Sequence, residues 1–226
     1  AVNGTLFFSA SGSAIQGNEL WKSDGTETGT QLVVDLNPFD NHSSFPMYFI
    51  NGNGRLFFNT NRVMWVSDGS EAGTIKVPPP NELFSFGIFS HYMDGYIYCS
   101  CSDAGSFNPE LWRINTESLS VTRVKELAVG EVFGSNPNRF SSSNGILFFS
   151  ARLLSGDDYE PWRSDGTEAG TFQLQDIYAG PMGAFEGIGT DFFSFNGHAY
   201  FSATDGVSGR ELWMTDGTQV GTQLVS

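Results

Sequence analysis

Glu19-Leu20-Trp21-Lys22-Ser23-Asp24-Gly25-Thr26-Glu27-Thr28-Gly29-Thr30 decides the fold, because the chain repeats it. The phrase returns as Met64-Trp65-Val66-Ser67-Asp68-Gly69-Ser70-Glu71-Ala72-Gly73-Thr74 and as Glu160-Pro161-Trp162-Arg163-Ser164-Asp165-Gly166-Thr167-Glu168-Ala169-Gly170-Thr171. A last copy opens at Glu211-Leu212-Trp213, and a worn one, Glu110-Leu111-Trp112-Arg113-Ile114-Asn115, has lost the Asp-Gly turn. All five tryptophans (21, 65, 112, 162 and 213) are spent in these copies, 44 to 51 residues apart. Their constant phase predicts equivalent buried positions on one strand of each repeat.

Each copy follows a run such as Leu6-Phe7-Phe8 or Leu147-Phe148-Phe149, where apolar residues are consecutive rather than alternating. Such a strand is buried on both faces. A third strand follows the turn, as in Gln31-Leu32-Val33-Val34, and a looser strand ends in Asn-Gly or Asp-Gly before the next copy. Four short strands in a period of this length, with no helical periodicity, match a propeller blade. The expectation is an all-β, five-bladed β-propeller, one domain over 1–226 with blades near 1–37, 38–79, 80–127, 128–178 and 179–226. The Asp-Gly-Thr-x-x-Gly-Thr segment reads as a tight hairpin, with Asp capping amides and each Gly at positive φ.

The strand ending in Asn-Gly or Asp-Gly has four full copies, whereas the others have five. Either residues 223–226 complete the first blade, or the chain is a segment of a longer polypeptide.

The charge of −14, from 11 basic and 25 acidic residues, repels phosphates and anionic membranes, so no nucleic-acid partner is expected. No apolar run reaches the roughly 18 residues of a membrane helix, so no membrane insertion is expected. The acidic balance is compatible with Ca²⁺ binding, and equally with charge that keeps the protein soluble; no other cofactor is indicated. Cys99 and Cys101 read as buried free thiols, with a strained redox pair or an incomplete metal site as alternatives. The sequons at Asn3 and Asn41 suit a secretory route.

No nucleophile elbow, metal-spaced histidine set or phosphate loop is present, so no catalytic residue and no metal site is assigned. Carboxylates are the candidates for ligand binding. Glu19, Glu110, Glu160 and Glu211 recur at one position, and Asp24, Asp68, Asp165 and Asp216 at another. A residue needed in every repeat solves a structural problem more readily than a catalytic one. Repeated sugar or Ca²⁺ sites are the alternative. Asp157, Asp158 and Asp205 are the unrepeated acids, read first as solvated loop charge.

The phrase Glu-Leu-Trp-x-x-Asp-Gly-Thr resembles the ELWxxDGT repeats of large, mostly bacterial, secreted or surface proteins. The match is full in the first and last copies, with Pro161 for Leu in the fourth, Val63-Met64 for Glu-Leu in the second, and the turn lost in the third. The resemblance implies an extracellular or cell-surface protein and brings no defined activity. The expected function is therefore a non-enzymatic binding module, lectin-like, with several weak glycan sites on equivalent blade positions. A structural or adhesive unit that binds another extracellular protein is the second reading.

Overall fold

The computed structural model describes residues 1–12, 17–37, 42–103, 108–131, 133–153, 158–180, 182–185 and 191–225. Asn41 and Asp157 lie outside these residues. No helix occurs among the described residues, whose strands form five antiparallel sheets of three or four strands. The chain makes two compact units, Ala1–Pro79 with Asn115–Ser120, and Pro80–Ile114 with Val121–Ser226.

In the first unit, β1 (Leu6–Ser11), β2 (Asn18–Ser23) and β3 (Gln31–Val34) form a three-stranded sheet. β4 (Met47–Gly52), β5 (Arg55–Thr60), β6 (Val63–Ser67) and β7 (Ile75–Lys76) form a four-stranded one. Leu20 and Val33 of the first sheet share a core with Leu56 and Phe58 of the second. Lys22 Nζ ties the sheets by donating to the Gly69 carbonyl at 2.7 Å.

In the second unit, β8 (Ser85–Met93), β9 (Tyr96–Ser102), β10 (Glu110–Asn115) and β11 (Val121–Lys125) make the third sheet. The fourth is β12 (Asn138–Ser143), β13 (Ile146–Arg152), β14 (Tyr159–Ser164) and β15 (Phe172–Gln173). The fifth is β16 (Phe193–Phe195), β17 (His198–Thr204), β18 (Arg210–Thr215) and β19 (Gln223–Leu224). Tyr98 and Leu111 pack on Leu147, Phe149 and Trp162, and Phe148 and Leu174 pack on Phe192, Ala199 and Phe201. Arg163, in the phase of Lys22, donates to the Gly217 carbonyl of the next sheet at 3.3 Å.

The looser strand comes first in each four-stranded sheet, and the dipeptides after it set the register. Asn53-Gly54, Asp94-Gly95, Asn144-Gly145 and Asn196-Gly197 have positive φ at both residues, the pairing that two-residue hairpins of this twist require. Asn3-Gly4 makes the same turn, closed by a lone Val2–Thr5 bridge. The expectation that residues 223–226 complete the first sheet fails for Gln223 and Leu224, which pair instead with Met214 and Trp213. Among the described residues the first sheet has three strands, and none stands where a strand precedes the Asn-Gly or Asp-Gly turn in the others.

That difference accounts for a second correction. Leu56, Ile97 and Leu147 are buried as consecutive apolar runs predict, but Leu6, with the same neighbours in sequence, is 54% exposed. All five tryptophans sit on the expected strand, four of them paired across to Phe8, Phe58, Phe149 and Phe201. Trp112 and Trp162 are buried, whereas Trp21, Trp65 and Trp213 are half-buried. Cys99 and Cys101, read as free thiols, are joined by a disulfide, their Cα atoms 5.8 Å apart on β9.

The Asp-Gly turn is built as expected except at its second glycine. Asp165 Oδ1 accepts from the Thr167 amide at 2.9 Å and the Thr167 hydroxyl at 2.7 Å, and Gly166 has φ 88°. Gly170 is not at positive φ. A Cβ there would collide with the Asp165 carboxylate, and the same holds for Gly29, Gly73 and Gly221 against Asp24, Asp68 and Asp216. Close approach, rather than backbone handedness, demands these four glycines.

Candidate ligand-binding site

Three of the four recurring glutamates hold the connection to the next sheet. Glu19 accepts from the amides of Leu36 (3.0 Å) and Ser44 (2.8 Å), and Glu110 from those of Leu127 (2.8 Å) and Ser135 (3.2 Å). Glu160 accepts from Ile177 (2.8 Å), Tyr178 (3.2 Å) and Ala184 (2.9 Å). The donors stand 17 and 24 or 25 residues downstream each time, so one carboxylate pins the start and the end of each crossover. Backbone amides buried at a crossover need such an acceptor. Glu211 has the same phase and is exposed. Burial pushes the Glu160 carboxyl up to about 7, against the pull of its amide donors, and raises Glu110 in the same direction.

The recurring aspartates are likewise occupied. In Asp24, Asp68, Asp165 and Asp216 the hydroxyl and amide of the residue two positions on hold the carboxyl below its usual range. Asp205 closes its own turn, accepting from the Ser208 amide at 2.7 Å and the Val207 amide at 2.8 Å, and these bonds lower it too. His91 Nε2 meets Ser142 Oγ at 2.9 Å, and His198 Nδ1 lies 3.1 Å from the Asn196 carbonyl. Among the described residues no group of three metal-ligating side chains forms.

Asp158 behaves differently. It stands just before β14, on which Glu160 and Trp162 are two residues apart, so that period-two alternation puts those two side chains on one face of the fourth sheet. Ala151, opposite Glu160, and Gln173, opposite Trp162, share that face. With Asp158, Leu153, Asp176 and Gly180 they line a cavity of about 380 Å³. Asp158 is half-buried, not the solvated loop charge expected. Burial, and then the charge of Asp176, raise its carboxyl above the ordinary range. Its Oδ1 has no hydrogen-bond partner, nor does the indole N–H of Trp162, a residue only 5% exposed.

Trp21 and Trp213 also keep a buried, unpaired indole N–H, whereas Trp65 Nε1 donates to Thr60 Oγ1 at 2.8 Å. The acid is what sets the fourth repeat apart. At the position of Asp158 the other glutamate-bearing repeats carry Gly17, Asn108 and Gly209. Asp176 and Gln173 were not singled out from sequence. For Asp176 a signal existed, since Asp35 and Glu126 stand at the same distance beyond Glu19 and Glu110.

No protein-family model matches the sequence, and no curated protein matches it. Solved structures do. The chain is similar to a puromycin hydrolase S511A mutant complexed with PGG (13% identity, TM-score 0.53, 93% of this chain and 34% of that one). It is similar to oligopeptidase B from Leishmania major (12%, TM-score 0.57, 98% and 31%). It is also similar to a chain of a nidogen/laminin complex (9%, TM-score 0.50, all of this chain and 75% of that one). The chain thus spans about a third of the length of the two hydrolases. At these identities the likeness concerns the fold alone: it is all-β and propeller-like.

Proposed function

We propose that this chain is a non-enzymatic, extracellular binding module of the ELWxxDGT-repeat kind, lectin-like, its five sheets serving as the blades of one propeller. The observation that carries the reading is the cavity of the fourth sheet. There an aromatic wall, three carboxylates and an amide side chain meet, and a buried donor and a buried acceptor are left for a ligand. An indole beside carboxylates and amides is the furniture of sites that orient a small polar molecule. The recurring acids support a binding rather than catalytic role, because most are engaged in backbone bonds that a reaction would have to break. A glycan array read with and without Ca²⁺ tests the proposal. Retention of defined glycans supports it; a blank array in both conditions, or turnover of a glycan, ester or peptide substrate, contradicts it.

A protein-interaction role is the second reading, favoured by the fifth sheet. Phe193, Phe195 and Leu212 are 66%, 56% and 49% exposed there and line an apolar hollow of about 630 Å³ with Tyr200. Exposed apolar surface of this kind marks an interface.

A further inference from the structure

We infer that the cavity bounded by Asp158, Trp162, Gln173 and Asp176 holds one neutral, hydroxylated ligand the size of a single sugar ring, and that it is the one sugar site among the repeats. The inference rests on the glycan-binding reading above and narrows it from several equivalent blade sites to the fourth repeat.

The argument runs through the unpaired groups. A buried donor or acceptor left without a partner is unfavourable, and here the two residues that carry one of each, Trp162 and Asp158, line the same cavity. A hydroxyl answers both, since it accepts from the indole N–H and donates to the carboxylate. An anion meets Asp158, Asp176 and Glu160 and no Lys or Arg among the lining residues. An ammonium suits the carboxylates but offers no lone pair to the indole N–H. The volume of about 380 Å³ exceeds the roughly 30 Å³ share of one water and lies at the small end of ligand sites, roughly 300–1,000 Å³. Ala151 and Leu153 supply the apolar wall that a ring's C–H faces need.

The other repeats lack the full set. Trp21 and Trp213 keep the unpaired N–H, but Gly17 and Gly209 stand where Asp158 supplies its carboxylate.

The test is ¹H–¹⁵N NMR of the indole region of the whole chain, where five tryptophans give five resonances. The Trp162 signal is assigned by its loss in Trp162→Phe. D-glucose, D-galactose, D-mannose, L-fucose and N-acetylglucosamine are titrated singly, with ethylammonium chloride as the cationic probe. The expected result is a saturable shift of the Trp162 indole by at least one sugar, weakened tenfold or more in Asp158→Asn. Asp176→Asn is the second variant, with the same expectation, and the remaining indole signals report that each variant is folded. No sugar-induced shift, an equal affinity in both folded variants, or a response to ethylammonium alone overturns the inference. An array hit that Asp158→Asn leaves intact keeps the glycan reading and overturns this site. A saturable shift alongside a blank array does the reverse.

Discussion

Gly170→Ala deletes no polar group, yet it should cost about 1.5 kcal/mol, because the new methyl group takes the place of the Asp165 carboxylate. The carboxylate would lose its bonds to the Thr167 amide and hydroxyl, at 2.9 and 2.7 Å. With its side chain 42% exposed, each is worth roughly 1 kcal/mol. Asp165→Ala loses the same two bonds and should cost a similar ~2 kcal/mol. In the double variant the obstacle to the methyl group is gone. Alanine restricts the unfolded chain in the single and the double variant alike, returning about 0.5 kcal/mol in each. The pair together should therefore cost about 1.5 kcal/mol, some 2 less than the sum of the two singles. Equilibrium urea unfolding followed by tryptophan fluorescence measures all three, with unchanged m confirming comparable unfolded states. Additivity within about 0.5 kcal/mol would refute the reasoning, since it would mean that Gly170 is required for something other than the approach of Asp165.

Two further outcomes follow from burial. Trp162→Ala should cost ~3–5 kcal/mol as a large-to-small change in a core shared with Phe149 and Leu147, while Trp213→Ala, half-buried, should cost less; the same unfolding assay ranks them. Glu160 binds its proton more tightly folded than unfolded, with a carboxyl raised from 4.5 to about 7. Its contribution to stability is therefore fully present below about pH 4.5, falls as pH rises toward 7, and is flat above. The total change is about 3 kcal/mol. The turn aspartates, lowered instead, lose their contribution only as pH falls below their ordinary 3.8. Urea midpoints should accordingly be highest near pH 4 to 5, and Glu160→Gln should flatten the decline toward pH 8. A midpoint that rises over that interval in the parent protein contradicts the assignment.

The repeats made the strands legible, because most turns carry their own chemistry: Asn-Gly and Asp-Gly at the hairpins, Asp-Gly-Thr or Asp-Gly-Ser after four of the five tryptophan strands. Partners distant in sequence were not legible. Nothing in Glu19 or Glu160 announces that the amides it holds lie 17 and 24 or 25 residues onward, although their recurrence suggested a task that every repeat shares. Identical letters also met different surroundings. Leu6-Phe7-Phe8 reads like Leu56-Phe57-Phe58, yet only the second has a strand on each side. Asp158 and Asp205 looked alike as loop acids. One binds its own backbone, and the other faces a cavity whose far wall, Gln173 and Asp176, comes from the following strand and loop. The second glycine of the turn was assigned to positive φ, since sequence carries no sign of how near a carboxylate comes.

Isothermal titration calorimetry with the tightest-binding sugar tests the central claim most directly. One cavity with an unpaired acid and an unpaired indole predicts a stoichiometry of one sugar per chain and loss of the heat signal in Asp158→Asn. A stoichiometry of four or five, or an isotherm unchanged by Asp158→Asn, would contradict it and return the binding role to the repeated positions.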